Sequence, residues 1–112
     1  MAKSLRKKET LTDKKSIDNL FIKGKVTQKF PIRAHYIPSE ETKILFTVSK
    51  KKLSKAVDRN RVKRLLKEIF YNNHYNKQNK KFHIGFVYLS SKLITKKELL
   101  EIMKQVCLKI HQ

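Results

Sequence analysis

Hydrophobic residues in the middle of the chain recur with the spacing of a helix that is buried along one side. The repeat is i, i+3, i+4, i+7 and i+8, and it is formed by Val62, Leu65, Leu66, Ile69 and Phe70. The hydroxyl of Ser54 can accept a hydrogen bond from a free backbone N–H group at a helix start. We therefore predict a central helix that runs from an N-cap at Ser54 to about Tyr75.

Two further helices are predicted, one on each side of the central helix. Thr12 or Asp13 can cap a helix over residues 13–23, and Gly24 follows where a left-handed C-cap is expected. Near the C-terminus, Thr95 and Glu98 have the spacing of a capping box. A broad apolar face follows this box and consists of Leu99, Leu100, Ile102, Met103, Val106, Cys107 and Ile110. Because the only cysteine lies on this face, we interpret it as a buried core thiol.

Between the first two helices the hydrophobic spacing changes to the alternation that is typical of β-strands. Residues 30–37 and 44–49 alternate in this way across a polar turn, and residues 25–28 can add a short strand. Pro31 lies near the start of the first run, which favours an edge position in the sheet. Residues 82–89 are almost continuously apolar, which predicts a central strand covered on both faces. The predicted order is α-β-β-β-α-β-α.

The charge balance restricts the possible partners. The 112 residues include 28 Lys and Arg against 9 Asp and Glu, which gives a formal net charge of +19 at pH 7. Such a charge indicates a polyanionic partner. No apolar run approaches the ~20 residues of a membrane-spanning helix, and the N-terminus lacks a signal peptide and a lipidation motif. We therefore expect a cytoplasmic protein that binds nucleic acid and not a membrane.

The domain organisation is predicted to be simple. With 39% hydrophobic residues, the chain can bury one modest core. We expect residues 1–10 to form a mobile basic segment and residues 11–112 to form a single RNA-binding domain. No internal repeat divides the chain, and its two glycines are too few for a glycine-rich phosphate loop.

The central helix and the segment before it concentrate the positive charge. Residues 50–67 contain nine Lys or Arg and one acid, Asp58. Solvated helix surfaces usually interleave Glu with Lys at i, i+4, and this helix offers only Glu68 for that purpose. We therefore interpret the charge as a polyanion-binding surface. Helical geometry divides it into two flanks, one with Arg59, Asn60, Lys63 and Lys67 and the other with Arg61 and Arg64.

The side chains suited to nuclease chemistry do not form a recognisable set. Metal-dependent cleavage of phosphodiesters usually gathers several carboxylates around one or two ions. The acids here are scattered over turns and helix surfaces, at Glu9, Asp13, Asp18, Glu40, Glu41, Asp58, Glu68, Glu98 and Glu101. The histidines show no ligand spacing, and we interpret them as surface or sheet-edge residues: His35, His74, His83 and His111. We predict no catalytic residue and no metal site in the protein.

The central motif resembles a known family signature. The run Val48-Ser-Lys-Lys, followed by Lys55-Ala-Val and then Arg59-Asn-Arg-Val-Lys-Arg64, is similar to the signature of the bacterial ribonuclease P protein component. The likeness extends to Leu20-Phe-Ile-Lys-Gly24 and Phe30-Pro-Ile-Arg33, and it covers roughly residues 11–110. Two positions depart from the family pattern. Ser54 stands where Gly is common, and Ile17 stands where many members have an aromatic ring.

The resemblance implies a fold and a function. The fold is a single-domain α+β sandwich, in which the helices pack on a mixed sheet that contains an unusual left-handed βαβ crossover. The function is that of a protein subunit that supports removal of the 5′ leader from precursor tRNA. In this family the RNA subunit, with Mg²⁺, carries out the hydrolysis. The protein then needs no cofactor of its own and no protein partner.

The resemblance also implies two sets of binding residues. The leader-binding set is Ile17, Phe21, Arg33, Thr47, Arg59, Asn60, Lys63 and Lys67. The set that binds the RNA subunit is Lys50, Lys51, Lys52, Lys55, Arg61 and Arg64. Phe21 has two open interpretations: it stacks on a leader base, a contact worth about 1–3 kcal/mol, or it packs beside Ile17 on an ordinary amphipathic face.

Two other functions stay open at this stage. A ribosomal protein or an RNA chaperone, with a structural role and none in cleavage, has the same charge and the same small core. A helix-turn-helix DNA-binding protein is a weaker alternative, because a strand follows the basic helix and no partner helix precedes it at turn distance.

Overall fold

The computed structural model describes residues 10–75 and 80–111, which form three helices and a four-stranded sheet. The elements are α1 (Lys14–Lys23), β1 (Lys25–Lys29), β2 (Ile32–Pro38), β3 (Lys43–Val48), α2 (Ala56–Asn72), β4 (Phe82–Tyr88) and α3 (Lys96–Ile110). This order confirms the predicted α-β-β-β-α-β-α. Within the described ranges, no helix is long and apolar enough to cross a membrane.

The sheet is mixed, with the strand order β1-β2-β4-β3. β1 pairs with β2 and β2 with β4 in antiparallel directions, whereas β3 and β4 are parallel. Because α2 connects the two parallel strands, β3, α2 and β4 form the expected βαβ unit. The left-handedness of this crossover stays a prediction.

One face of the sheet carries the main hydrophobic core. Side chains alternate across a sheet, and the even-numbered residues of β2, β3 and β4 all point to this side, which we call the core face. Three aromatic rings join its layers. The rings of Phe46 and Phe86 stack at a centroid distance of 5.4 Å, and Phe70 of α2 packs on both of them at 6.0 and 5.6 Å. The core cluster places α2 and α3 on this face.

The opposite face carries α1, and we call it the α1 face. It is formed by the odd-numbered residues of the same three strands. A Cβ atom added at Gly85 would lie 3.0 Å from Cζ of Phe21 and 3.2 Å from Cδ2 of Leu20. α1 therefore sits so close to β4 that only glycine fits without a shift of these side chains. The sheet is thus covered on both sides at β4, which confirms the predicted central strand.

The helix termini correct two predictions. Asp13 caps α1 as expected, and its carboxylate accepts a hydrogen bond of 3.0 Å from the backbone N–H of Ser16. Gly24 ends α1 with an extended backbone (φ −69°), so the predicted left-handed cap is wrong. Glycine is needed for space, because a Cβ atom would meet the carbonyl oxygen of Leu20. The predicted N-cap at Ser54 is also wrong, since Lys55 occupies the N-cap of α2 and makes no side-chain capping bond.

The two longer helices agree more closely with expectation. α2 ends three residues before Tyr75, where the side chain of Asn73 donates a 2.8 Å hydrogen bond to the carbonyl of Ile69. Thr95 is the N-cap of α3 as predicted, and its hydroxyl accepts a 3.3 Å hydrogen bond from the N–H of Glu98, which is one half of the predicted capping box. Cys107 is buried on α3, and burial raises its thiol pKa to about 12, which confirms a core thiol.

The strand predictions need one correction. β1 and β3 form the edges, and β2 lies inside the sheet between β1 and β4, so the edge position predicted from Pro31 is wrong. Pro31 lies in the turn before β2 starts at Ile32, where its missing N–H group interrupts no ladder of hydrogen bonds.

Of the predicted mobile segment, residues 1–9 lie outside the described residues, and Thr10 forms a β-bridge with Ile44 of β3.

Candidate RNA interface

A row of side chains crosses the α1 face near the C-terminal ends of β3 and β4. Arg33 and Thr47 each pair with Val87, so the three side chains lie next to one another on β2, β4 and β3. All three are partly exposed. The next row contains His35 and Gly85, over which α1 packs. The α1 face therefore presents a strip of sheet beside a helix.

Phe21 and Arg33 both contact His35, which we interpreted from the sequence as a surface or sheet-edge residue. His35 is only 8% exposed, and its ring lies 4.6 Å from the ring of Phe21. Nε of Arg33 donates a 3.1 Å hydrogen bond to Nε2 of His35. The surface or edge assignment of His35 is therefore wrong. A signal was present, because residues i and i+2 of a strand share a face and His35 follows Arg33 at that spacing.

The contacts of His35 define its protonation state. Burial, and secondarily the charge of Arg33, lower the pKa of the imidazole below its usual value. Nε2 can accept from Arg33 only if the ring is neutral with its proton on Nδ1, and Nδ1 has no hydrogen-bond partner. A neutral His35 thus orients the Arg33 guanidinium and supports the Phe21 ring. Phe21 packs within the fold, and base stacking by its exposed part stays a prediction.

The basic residues of α2 project from the other side of the sheet. Nine of the predicted binding residues on α2 and just before it are exposed: Lys50, Lys51, Lys52, Lys55, Asn60, Arg61, Lys63, Arg64 and Lys67. The described part of the chain contains the ion pairs Lys43–Glu41 and Lys96–Glu68, and no residue of this set takes part in either. α2 and the 49–55 segment before it therefore present an array of cations that have no ion-pair partner among the described residues.

Arg59 differs from the other cations of α2. It is partly buried, and its Nη1 donates hydrogen bonds to the carbonyls of Leu53 at 3.0 Å and Ser54 at 2.6 Å. A rotation of 100° per residue puts it only about 60° from Val62, at the border of the buried face. Arg59 therefore ties the segment of residues 49–55 to the start of α2, in addition to any contact with a ligand.

The predicted leader-binding set is divided between the two faces. The structure brings Ile17, Phe21, Arg33 and Thr47 to the α1 face. The other four residues lie on α2, which packs against the core face next to β3. Thr47 is the second-last residue of β3, and the 49–55 segment leads from there into α2. A ligand that contacts both groups has to cross the β3 edge of the sheet.

Titratable groups among residues 10–75 and 80–111 do not assemble into a metal site. No group of three or more His, Cys, Asp or Glu residues in these ranges could hold a metal ion. His83 bonds to the hydroxyl of Ser39, and the ring of His111 packs against that of Phe82.

Replacing Arg59 tests its role in holding the 49–55 segment. We expect Arg59→Ala to lower the free energy of unfolding by about 1–2 kcal/mol, because the partly buried bond to the carbonyl of Leu53 and the exposed bond to that of Ser54 lose their charged donor. Arg61→Ala removes the same charge from an exposed site and should change stability by less than about 0.5 kcal/mol. Urea unfolding followed by circular dichroism measures both. Equal losses of stability in the two variants would contradict the role of Arg59 in holding the 49–55 segment.

His35 makes stability depend on pH in a defined direction. Its folded-state pKa lies below that of the unfolded chain, so the unfolded state binds more protons as pH falls below about 6.5. The contribution of neutral His35 to the free energy of unfolding is complete above about pH 6.5, and it is lost as the pH falls towards the lower pKa that His35 has in the folded state. Burial lowers the pKa of His83 and His111 as well, and they act in the same direction.

We therefore expect the free energy of unfolding to decrease from pH 7 to pH 5, and we expect His35→Gln to reduce this slope. The matched control is His74→Asn, at an exposed position whose φ of 57° is compatible with Asn. Denaturant titrations at several pH values measure the slope. An unchanged slope in His35→Gln would show that this histidine is not held in the neutral state.

Comparison with known proteins identifies the relatives of this chain. The family model for Ribonuclease P matches residues 5–111. The ribonuclease P protein component of Chlorobium phaeobacteroides (strain DSM 266 / SMG 266 / 2430) is 38% identical over an alignment of 77 residues, and the match covers 62% of this chain and 53% of that protein. The chain thus matches about half the length of this curated relative.

Solved structures share the fold. The RNase P protein of Staphylococcus aureus superposes with a TM-score of 0.79 at 20% identity, over 93% of this chain and 95% of that chain. The RNase P protein of Thermotoga maritima gives a TM-score of 0.77 at 20% identity, over 90% of this chain and 96% of that chain. These likenesses support the α+β fold, and the family model covers nearly all of the sequence, so the chain belongs to the Ribonuclease P family.

Proposed function

We propose that this protein is the protein subunit of a bacterial ribonuclease P and acts in the cytoplasm. It binds the catalytic RNA and the 5′ leader of precursor tRNA, and so supports the endonucleolytic maturation of the tRNA 5′ end. The observation that carries this proposal is the array of exposed cations on α2 and the 49–55 segment, which have no described ion-pair partner and overlap the family motif Arg59-Asn-Arg-Val-Lys-Arg64. Family membership favours this role over a purely structural RNA-binding protein.

The cation array is suited to RNA phosphates. Like charges crowded on one helix repel one another, and a polyanion removes this repulsion. Binding also releases the counterions that are condensed on the RNA, which makes affinity strongly dependent on salt. Arg61 and Arg64 add planar guanidinium groups that can contact two phosphate oxygens at once. We assign Lys50, Lys51, Lys52, Lys55, Arg61 and Arg64 to the RNA subunit.

The α1 face is suited to a single-stranded leader. Arg33 is oriented by His35, and the hydroxyl of Thr47 lies in the same row, so both can contact the leader backbone. Phe21 offers a ring edge or face to a base, and stacking tolerates any leader sequence. The leader would then cross the β3 edge to reach the exposed flank of Asn60, Lys63 and Lys67.

The protein contributes binding and orientation rather than chemistry. His35 is buried and bonded to Arg33, and Cys107 is buried with a raised pKa, so neither is placed to act on a phosphodiester. The donor set of the described residues does not fit a protein-held metal ion. We therefore propose that the RNA binds most of the Mg²⁺ required for cleavage. No further protein partner is required in this proposal.

Reconstitution tests the proposed function. Addition of the purified protein to a bacterial ribonuclease P RNA should promote leader removal at low Mg²⁺. The logarithm of RNA affinity should fall by roughly 0.7–0.9 per phosphate contact for each unit of log salt, so five contacts give a slope steeper than about −3. A protein without effect on cleavage would favour a purely structural role, and a flat salt dependence would remove the cation array as the binding site.

Two double variants separate the flanks of α2. Lys63→Ala with Lys67→Ala should weaken the binding of precursor tRNA to the assembled enzyme more than that of mature tRNA, because only the precursor has a leader. Arg61→Ala with Arg64→Ala removes the same charge and should mainly weaken assembly with the RNA subunit. Gel-shift and filter-binding titrations measure both steps. Equal losses in both assays for both variants would contradict separate roles.

A further inference from the structure

A second basic site lies far from the RNA-binding residues assigned above. A cavity of about 480 Å³ opens where β2 ends and β4 begins, next to the end of α3. Its lining includes four lysines and two aromatic rings, which we call the lysine pocket: Lys25, Lys80, Lys81, Lys109, Tyr36 and Phe82. None of these residues belongs to the leader-binding set or to the RNA-subunit set.

The lysine pocket is separated from the start of α2 by the length of the sheet. Phe82 begins β4 and Tyr88 ends it, and the seven residues of this strand span roughly 20 Å. The pocket lies at the Phe82 end. The 49–55 segment begins at the other end, where the N–H of Ser49 bonds to the carbonyl of Tyr88. One short ligand cannot fill the pocket and contact the N-terminal part of α2 together.

The charge of the lysine pocket is not balanced within the described residues. All four lysines are exposed, none takes part in the described ion pairs, and the lining contains no acid. They come from the start of β1, the residues before β4 and the end of α3. The fold therefore converges these ammonium groups on one cavity, although their mutual repulsion opposes it.

The wall of the pocket is aromatic. The ring of Phe82 contacts the ring of Tyr36 edge-to-face at 5.7 Å and the ring of His111 at 5.3 Å. Tyr36 is partly exposed, so one of its sides is available to a ligand. Phe82 itself is only 7% exposed, so Tyr36 is the ring that a ligand in the pocket can reach. A ligand with a planar, weakly polar body and an anionic group matches these features.

We propose that the lysine pocket binds one nucleotide of a single-stranded RNA segment, with the phosphate on the lysines and the base against Tyr36, whose ring packs on that of Phe82. Cavities of 300–1,000 Å³ accommodate ligands of nucleotide size. Inorganic phosphate would use the lysines alone and leave the aromatic wall without a partner. A neutral aromatic molecule would leave the four charges unbalanced. The site does not depend on the cleavage role proposed above.

NMR titrations of the full-length protein test the site directly. Uridine 5′-monophosphate should shift the ring resonances of Tyr36 and Phe82, whereas inorganic phosphate at equal concentration should leave these resonances nearly unchanged. Equal shifts with both ligands would reduce the pocket to a general anion site and overturn the proposal. The absence of shifts with the nucleotide would overturn it as well.

A pair of charge-matched variants links the pocket to RNA. Lys80→Gln with Lys109→Gln should reduce the slope of log affinity against log salt for hexauridylate by about 1.4, since each lost contact to a single strand removes about 0.7. Lys97→Gln with Lys104→Gln lowers the net charge equally at exposed sites outside the pocket and should leave the slope nearly unchanged. Equal reductions in both variants would mean a diffuse charge effect and would overturn the proposal.

Cross-linking provides a readout that is independent of the α2 cations. Hexauridylate that contains 4-thiouridine should cross-link to the peptide of Tyr36 or Phe82, and the yield should fall severalfold in the Lys80→Gln, Lys109→Gln variant. Cross-links confined to the peptides of α1 and α2 would overturn the proposal. Leader removal by the reconstituted enzyme, measured alongside, tests the cleavage role separately, so the two proposals can fail independently.

Discussion

Strand β4 is covered on both faces, and the arrangement of the whole molecule depends on this constraint. On one side, Gly85 leaves room for α1 to approach the backbone through Leu20 and Phe21. On the other side, the neighbouring Phe86 stacks on Phe46 and packs on Phe70, which joins β3 and α2 to the sheet. Two consecutive residues with opposite steric properties therefore attach helices to opposite faces. A larger residue at position 85 would push α1 away from the sheet, and a smaller one at position 86 would remove contacts between the sheet and α2.

This double coverage decides where RNA can bind. Because the core face is occupied by α2 and α3, the partly exposed strip of sheet remains on the α1 face, beside Phe21. The cations of α2 point outward from the other layer. The two proposed binding regions are thus attached to one sheet but face different directions, so a leader that contacts both, as proposed, has to pass the β3 edge.

Local signals in the sequence predicted the elements well, and tertiary contacts explain most of the errors. The apolar repeat of α2, the capping box of α3 and the apolar run of β4 are each contained within one segment, so they were recognisable. The interior position of β2 was not, because it depends on pairing with β4, some fifty residues away along the chain. Gly24 was assigned correctly as a helix end but for the wrong reason, since its constraint is the nearby carbonyl of Leu20.

The candidate site could also be predicted from the sequence only in part. Helical geometry predicted which residues of α2 are exposed, but it could not show that Arg59 bonds to the carbonyls of Leu53 and Ser54. The burial of His35 follows from the position of α1 over the sheet, which no spacing within β2 reveals. The lysine pocket combines segments that are more than fifty residues apart in the sequence. Contacts of this range depend on the complete topology.

The cations of this chain perform different tasks although they contribute the same charge. The guanidinium of Arg59 is bonded to backbone carbonyls, and that of Arg33 is bonded to a neutral histidine, so both hold parts of the fold in position. Arg61 and Arg64 are exposed and lack described protein partners, so their binding capacity is available to a ligand. A net charge of +19 indicates a polyanionic partner, but it does not separate these two groups. The separation depends on hydrogen bonds within the fold, because an N–H group already bonded to the protein is not available to RNA, whereas the remaining N–H groups of the same guanidinium still are.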